Sequence, residues 1–504
     1  MNKVLVMRAG LWLAIFGLLV WAGYHRLDPD YGWHVTMGKY ITEKGIPKTD
    51  PFSYTMASYP FIDHEWLTNV IMYQLDQTIG KNGMAWIFAG MVTLALGLGG
   101  WGIKNKAGWE AAVIMAATLL FARGGVRPQV IDWLGLVVLW RGFADRQVWR
   151  KWRWIIPPAF CLWANLHGGF AVGVVVLGWL IFWRSLEEKK ADIKDVMVWG
   201  LGLLGTMLGP YGWRVWHEVR MQITDHDLRW TISEWQPFYV VLEPAFWMLG
   251  TLLVMLGFKY RKIIPRWQTA TTVVLLVAGM ASLRHIGLLA VVGGLMLGQL
   301  LGVFVRRELK TEEAHERARR IYWGLLGLAA AIFIIPVGIE IRQGNFGMSF
   351  YPVEAVKYLK TQITEGNVFS DYGWGGYLIW KYPEKKVFID GRMPSWRWPA
   401  YAKASAGKSA PEGESNWAMK DYLKISTDGE YEELFAKYDI RTVLWTNGER
   451  VTSWQKLCWD AEMAVRKWLG LKPIELQESF IEKMKESGWV EVYSDRAAVV
   501  YRKN

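Results

Sequence analysis

The sequence predicts a polytopic α-helical membrane protein that ends in a small soluble α/β domain. Three observations carry that expectation. Residues 1–340 are a succession of apolar runs separated by short basic or polar stretches, whereas residues 341–504 have mixed charge, Gly-rich turns and alternating apolar positions. Trp occurs 33 times, and the indole, apolar but with an N–H that needs a wet partner, favours membrane interfaces. Lys and Arg collect in alternate loops. The net charge of +12 would suit a nucleic acid, but the positive-inside rule already accounts for these cations. The bilayer is therefore the expected partner, with no nucleic acid. Cys161 in an apolar run and Cys458 in the soluble part make no disulfide framework.

The first element has the basic flank and apolar core of a signal peptide without a small-x-small cleavage site, and reads as a retained span. Candidate spans follow at 9–24, 84–103, 109–122, 128–143, 154–166, 168–183, 196–209, 241–258, 267–283, 286–305 and 321–339. Several are shorter than the ~20 residues of a full crossing, so the pairs at 109–143 and 154–183 suit tilted, re-entrant or half-crossing segments. About eleven spans put the N-terminus inside and the C-terminal domain outside. Charge tests this order. The inner segments hold 23 Lys and Arg in 62 residues and the outer loops 11 in 104, a density ratio of about 3.5 in the required direction. The expected location is the cytoplasmic (inner) membrane, multi-pass, with the C-terminal domain extracytoplasmic.

With the sides assigned, the reactive residues gather outside. The long first outer loop, 25–83, opens on Asp28-Pro29-Asp30-Tyr31-Gly32-Trp33-His34, passes Thr49-Asp50-Pro51-Phe52-Ser53 and reaches Asp63-His64-Glu65-Trp66-Leu67. A capping role suits Asp28 or Asp30, and Asp50-Pro51 suits a turn. For Asp30 and Glu65 a functional role is favoured, because acids beside a hydrocarbon boundary are costly unless they bind something.

Other outer turns supply Arg123 and Arg127, Asn165 and His167, then Arg214, His217, Glu218, His226 and Glu234, and lastly Arg284-His285. A lone Arg at such a place is often a snorkelling anchor, which serves equally well for Arg214 and Arg220. Arg284-His285 has barely any loop around it, so a functional site is the default there. Arg127 and His167 come next. Of eight His, only His315 falls on the inner side. The inner loops contain no P-loop, no GxGxxG after a strand and no HExxH.

The soluble part reads as helix (PVEAVKYLKTQI), strand (NVFSDY), glycine turn (GWGG), and strands YLIWKY and KVFIDG. A helix (DGEYEELFAKYD), a strand (RTVLWT), a helix (QESFIEKMKESG) and a hairpin (WVEVYSD, AAVVYRK) follow. Asp371, Tyr372, Trp374, Asp390 and Arg392 are surface-function candidates, set against the plainer reading of glycine turn and strand end.

These motifs carry a resemblance. The acidic motif after the first span, the long first outer loop, the N-in/C-out order and the external C-terminal domain resemble the GT-C superfamily of membrane glycosyltransferases, which use polyprenyl-phosphate-linked sugars. DPDxxWH, TDPFSYT, HEWL, Arg127-Pro128-Gln129, NLHGG, SEWQP and DYGWGGYL are similar to motifs of a bacterial group of GT-C-like proteins of mostly undefined activity. The resemblance implies that Asp30, with Asp28 beside it, is base or metal ligand, and it sets Asp63-His64-Glu65 as the second acidic cluster. Its basic donor site has no strict motif. Arg284, His285, Arg127 and His167 are assigned to the donor phosphate by position, with His34, His64, Asp63 and Glu234 in support.

The implied reaction moves a sugar from a polyprenyl-phosphate donor to an acceptor at the outer membrane face. A carboxylate (Asp30, Asp28 or Glu65) would orient or deprotonate the acceptor hydroxyl, and cations would stabilise the departing phosphate. A divalent Mg or Mn ion on Asp28, Asp30, His34 or Glu65 is compatible with these residues but not required by them. Two alternatives stay open. One is a transporter or flippase for lipid-linked glycans, which calls for an internal repeat that the sequence lacks. The other is a non-catalytic envelope-assembly protein that binds lipid-linked glycan.

Overall fold

The computed structural model describes residues 3–100, 106–237, 243–308, 350–362, 365–398, 410–447, 453–471 and 478–503, with 311, 313, 316, 320 and 324. It is mostly helical and divides into two compact units. One comprises residues 1–26, 75–220 and 229–346, and the other residues 27–74, 221–228 and 347–504. The sequence suggested a division near 340. The structure instead groups most of the first outer loop with the C-terminal segment.

The first ten candidate spans all fall on helices: Lys3–His25, Trp66–Gly99, Lys106–Arg123, Val130–Ala144, Ile156–Leu166, Phe170–Glu188, Ile193–Gly205, Pro244–Lys259, Arg266–Ala281 and Ile286–Glu308. The eleventh, 321–339, lies almost wholly outside the described residues, as does His315. Among the described residues, three helices are long and apolar enough to cross a membrane: Trp66–Gly99, Phe170–Glu188 and Leu283–Glu308. Pro244–Lys259 is apolar but has only 16 residues, about 24 Å at helical rise against a hydrocarbon core of about 30 Å. Eleven full crossings are thus not supported. The remaining runs are short, or carry charges such as Glu110 inside the helix. Trp66–Gly99 is itself broken at Gly80, whose positive φ of 65° suits glycine. The polar stretch before that break lay in the predicted outer loop.

The first unit is built around Ile286–Glu308. This helix is apolar on every side and correspondingly buried on nearly every side. It packs against Lys106–Arg123, Val130–Ala144, Pro244–Lys259 and Arg266–Ala281. Close approach depends on small residues. A side chain at Gly298 would strike the Trp109 ring and one at Gly287 the Trp133 indole. Two of the predicted inner segments, 141–153 and 184–195, are joined by an ionic network. Arg153 pairs with Asp195 at 2.6 Å and Asp192 at 2.9 Å, Arg146 pairs with Asp195 and Glu188, and the Trp149 indole donates to Asp195.

The second unit holds a four-stranded sheet of order β1-β2-β4-β3: β1 Asn367–Ser370, β2 Ile440–Thr446, β3 Trp489–Ser494 and β4 Ala498–Lys503. β1 and β2 are parallel, and the β3–β4 hairpin is antiparallel, with β4 returning against β2. Helices Val353–Thr361, Glu432–Lys437 and Glu478–Glu486 match the expected ones. Two expected strands are corrected. YLIWKY belongs to helix Gly375–Lys381, and KVFIDG makes only one parallel bridge, Ser53 to Val387. Both departures have one cause, which is the first outer loop. Gly376 faces the Pro29 carbonyl and Gly32 faces the Gly376 carbonyl, so closely that a Cβ on either would strike that oxygen. The helix Tyr31–Lys44 therefore seats directly on Gly375–Lys381. Of the glycines read as a turn, Gly373 does lie in the short turn Tyr372–Trp374, whereas Gly376 is a close helix contact. The loop run TDPFSYT lies along KVFI, with Tyr54 N donating to Val387 O (3.1 Å), Val387 N to Phe52 O (2.9 Å) and Thr55 Oγ1 to Phe388 O (2.6 Å).

Candidate functional site

Two polar clusters gather the sequence-predicted residues, one in each unit. In the second unit, Asp30 ends the turn that starts helix Tyr31–Lys44. Its Oδ1 accepts from the Trp33 indole N–H at 2.9 Å, and its backbone N–H donates to Asp28 Oδ1 at 2.8 Å. Asp28 thus closes a turn ahead of the helix, and the expected capping bond is not made, since the N-cap residue Asp30 gives no side-chain cap. The Asp30 carboxylate lies against Gly391, where any added side chain would collide with it. Both aspartates are half-exposed, so solvent or a ligand can reach the outer face of this turn.

One helical turn on, a buried chain of polar groups begins. His34 Nδ1 meets Asn69 Oδ1 at 2.6 Å, and Asn69 Nδ2 donates to Asp63 Oδ2 at 2.8 Å. That amide orientation makes His34 Nδ1 the donor. His34 Nε2 faces Glu65 Oε2 at 3.5 Å, while His64 Nε2 lies 3.3 Å from Glu65 Oε1. Burial raises the Asp63 carboxyl to about 6, against the opposing pull of His64 and the Asn69 hydrogen bond. Burial likewise raises Asp371 to about 6, although it caps the turn at Gly373 N.

The sequence reading gave Asp390 and Arg392 to a strand end and Asp50 to a turn. The turn is present, since Asp50 accepts from Phe52 N and Ser53 N. The structure adds a further role. Arg392, its side chain only 3% exposed, pairs with Asp50 Oδ1 at 2.8 Å and with Asp390 Oδ2 at 2.7 Å. The rings of Trp33, Phe52, Phe61 and Trp396 surround its guanidinium at 5.1–5.8 Å. Two carboxylates hold Arg392 charged against a large desolvation cost. Trp33 links this triad to Asp30, touching Arg392 with its ring and Asp30 with its N–H. Residues more than 300 positions apart therefore build one acidic site. The only sequence signal for it was the recurrence of DPD, TDP and DGR, each an acid held at a turn.

The first unit holds the second cluster. The turn Ser233–Trp235 is stitched to the turn Leu283–His285 by Ser282 Oγ donating to Glu234 O (3.1 Å) and Leu283 N to Gln236 O (2.9 Å). This brings Arg127 Nη2 to 2.8 Å and Arg284 Nη1 to 4.0 Å from the two oxygens of Glu234. Arg284 also lies over the Trp235 ring at 5.3 Å. Burial alone would raise the Glu234 carboxyl, but Arg127, Arg284 and Arg123 hold it below its ordinary value. Arg123 forks onto Glu243 at 2.7 and 3.3 Å. His285 Nδ1 is buried and finds no hydrogen-bond partner among the described residues.

His167 was expected with these arginines, but the structure pairs it with Asp132, Nδ1 to Oδ2 at 2.6 Å, and Asp132 also takes the Trp163 indole N–H at 2.8 Å. Asp132 was missed because it sits inside an apolar run. Gly169 of NLHGG leaves it room, since a Cβ there would overlap its carboxylate. A metal on Asp28, Asp30, His34 and Glu65 finds little support. Asp28 and Asp30 bond within their turn, His34 and Glu65 turn to the buried chain, and among the described residues no three His, Cys, Asp or Glu side chains are placed to hold an ion. No protein-family model and no curated protein matches the sequence.

Proposed function

We propose that this chain transfers a sugar from a polyprenyl-phosphate-linked donor to an acceptor at the outer face of the cytoplasmic membrane, as a GT-C-type glycosyltransferase. The convergence of Arg127 and Arg284 on the single carboxylate of Glu234 carries the reading. Two guanidinium groups set side by side on one acid make a cationic surface that suits a departing lipid phosphate. Asp30, reachable and oriented by the Trp33 indole, supplies the carboxylate that takes the acceptor proton. The sugar carbon gains the acceptor oxygen and loses the phosphate oxygen, and the phosphate leaves as an anion.

Two variants test this in a transfer assay with a panel of polyprenyl-phosphate sugars. Asp30→Asn is expected to lower transfer at least ~10²-fold, as for loss of a general base, while donor binding persists. Arg284→Ala is expected to weaken donor binding instead. Full transfer by Asp30→Asn would refute the catalytic assignment.

Binding without catalysis, in envelope assembly, is favoured by one observation. Asp28 and Asp63 spend oxygens on N–H groups of their own segments, as structural acids do. Purified protein that binds donor but never consumes it supports this second reading. The proposed topology, about eleven crossings with the N-terminus inside, is checked by fusions. A reporter after Lys503 is expected to be active only outside the cytoplasm and one at Lys190 only inside; both on one side would refute it.

A further inference from the structure

The C-terminal half of helix Ser453–Trp468, in the second unit, carries its apolar stripe outward. Arg466 is 8% exposed, whereas Trp468 is 84% exposed, beyond any other large apolar side chain in the described structure. At 100° per residue, Ala461, Ala464, Val465 and Trp468 share one face (spacing i, i+3, i+4, i+7). All four are exposed, and Leu469 follows, also exposed. Arg466 points roughly the opposite way and Met463 is half-buried beside it. Asp460 and Lys467, both exposed, border the stripe on one side. A soluble helix normally buries its apolar stripe and wets its arginine. This one offers the stripe outward.

We propose that the exposed face of helix Ser453–Trp468 is a membrane-interface anchor, lying in the headgroup layer with Trp468 and Leu469 inserted. Three features select lipid over a protein partner. The described face is made mostly of small side chains, two alanines and a valine leading to one large ring. It ends in Lys467-Trp468, a cation beside an indole, the pairing that interfacial segments use against phosphate headgroups. The same chain carries helices apolar enough to cross a membrane, so a bilayer is already at hand and anchoring costs little further translational entropy. The inference is independent of the glycosyltransferase reading.

The test uses the full chain in phosphatidylcholine/phosphatidylglycerol nanodiscs, with Cys161→Ser and Cys458→Ser as background and an environment-sensitive fluorophore on a single introduced cysteine. Trp468→Cys and Val465→Cys report the stripe; Glu433→Cys, on an exposed position of the same unit, reports solvent. Lipid nitroxide near the glycerol level is expected to quench the label at 468 and 465 by at least about twofold and to leave 433 unchanged, with aqueous iodide giving the opposite order. Position 468 quenched by iodide as strongly as 433, and not by lipid, overturns the proposal. So does a 468 label shielded from both, which would mean that protein covers the face. Val465→Cys keeps the test valid should Trp468→Cys disturb the helix end.

Discussion

The two polar clusters differ in how their charges are closed. In the second unit every guanidinium and carboxylate of the Asp50–Arg392–Asp390 triad is spent inside the protein, beneath four aromatic rings. In the first unit Arg127 and Arg284 share one acid, at 2.8 and 4.0 Å, and remain 23% and 31% exposed. A closed buried pair fixes structure, because breaking it strands a charge. A partly exposed cationic group costs less to alter and can be reached by an anion. The same residue type is therefore scaffold in one place and, in the function proposed above, ligand-binding group in the other.

The sharpest way to break that contrast is to remove one arginine from each. Arg392→Ala leaves Asp50 and Asp390 buried without their cation, and a loss of about 3–5 kcal/mol is expected, as for other broken buried pairs. Purified protein should melt many degrees lower or fail to fold. Arg284→Ala should leave the melting temperature nearly unchanged. Equal shifts in the two variants would end the distinction.

A second test uses pH. Asp63, 2% exposed, carries a carboxyl raised by burial from 3.8 to about 6. The folded state thus holds a proton that the unfolded chain has released, so stability falls as pH rises through this window. The contribution is fully present below about 3.8 and lost above about 6, by about 3 kcal/mol at most. Asp371 acts in the same direction. Melting temperature followed from pH 4.5 to 7 should therefore decline more steeply for the native protein than for Asp63→Asn. An identical slope in the variant would mean that Asp63 stays ionised.

The smallest expected effect belongs to the glycines. Gly376→Ala drives a methyl into the Pro29 carbonyl, and separating the two helices should cost about 1–3 kcal/mol. Gly10→Ala in the first unit, with open space around its Cα, should cost nothing measurable. A neutral Gly376→Ala would show that the helix pair has room to spare.

These contrasts also explain what was legible in the sequence. Apolar runs are local signals, and each of the first ten marked a helix. The β3–β4 hairpin and RTVLWT were legible for the same reason, since alternation and turn chemistry act over a few residues. Crossing number was not, because a run such as Pro244–Lys259 is apolar enough but too short. YLIWKY was read as a strand from its aromatic and β-branched content, and a tertiary contact at Gly32 and Gly376 overrode that preference. At the sites, Asp30, Asp63, Glu65, Arg127, Glu234 and Arg284 were visible as charges near apolar runs. Asp132 was overlooked, and Arg392 was read as a surface candidate rather than a buried partner, because their partners lie 35 residues away in His167 and more than 300 away in Asp50, and no local pattern announces either pair.

The pairing of an early loop with a late segment also sets a timetable for biogenesis. Thr55 must wait for Phe388, 333 residues further along the chain. At synthesis rates of about 5–20 residues per second, that delay is roughly 17–67 s. Throughout it the TDPFSYT run lacks its KVFI neighbour, Asp50 has no arginine, and the helix at Tyr31–Lys44 has no seat. A nascent chain released before residue 350 would carry the complete acidic loop and none of the C-terminal groups that pack against it. The early loop is thus a natural client for chaperones, and its exposure offers quality-control proteases a means of sensing truncated chains.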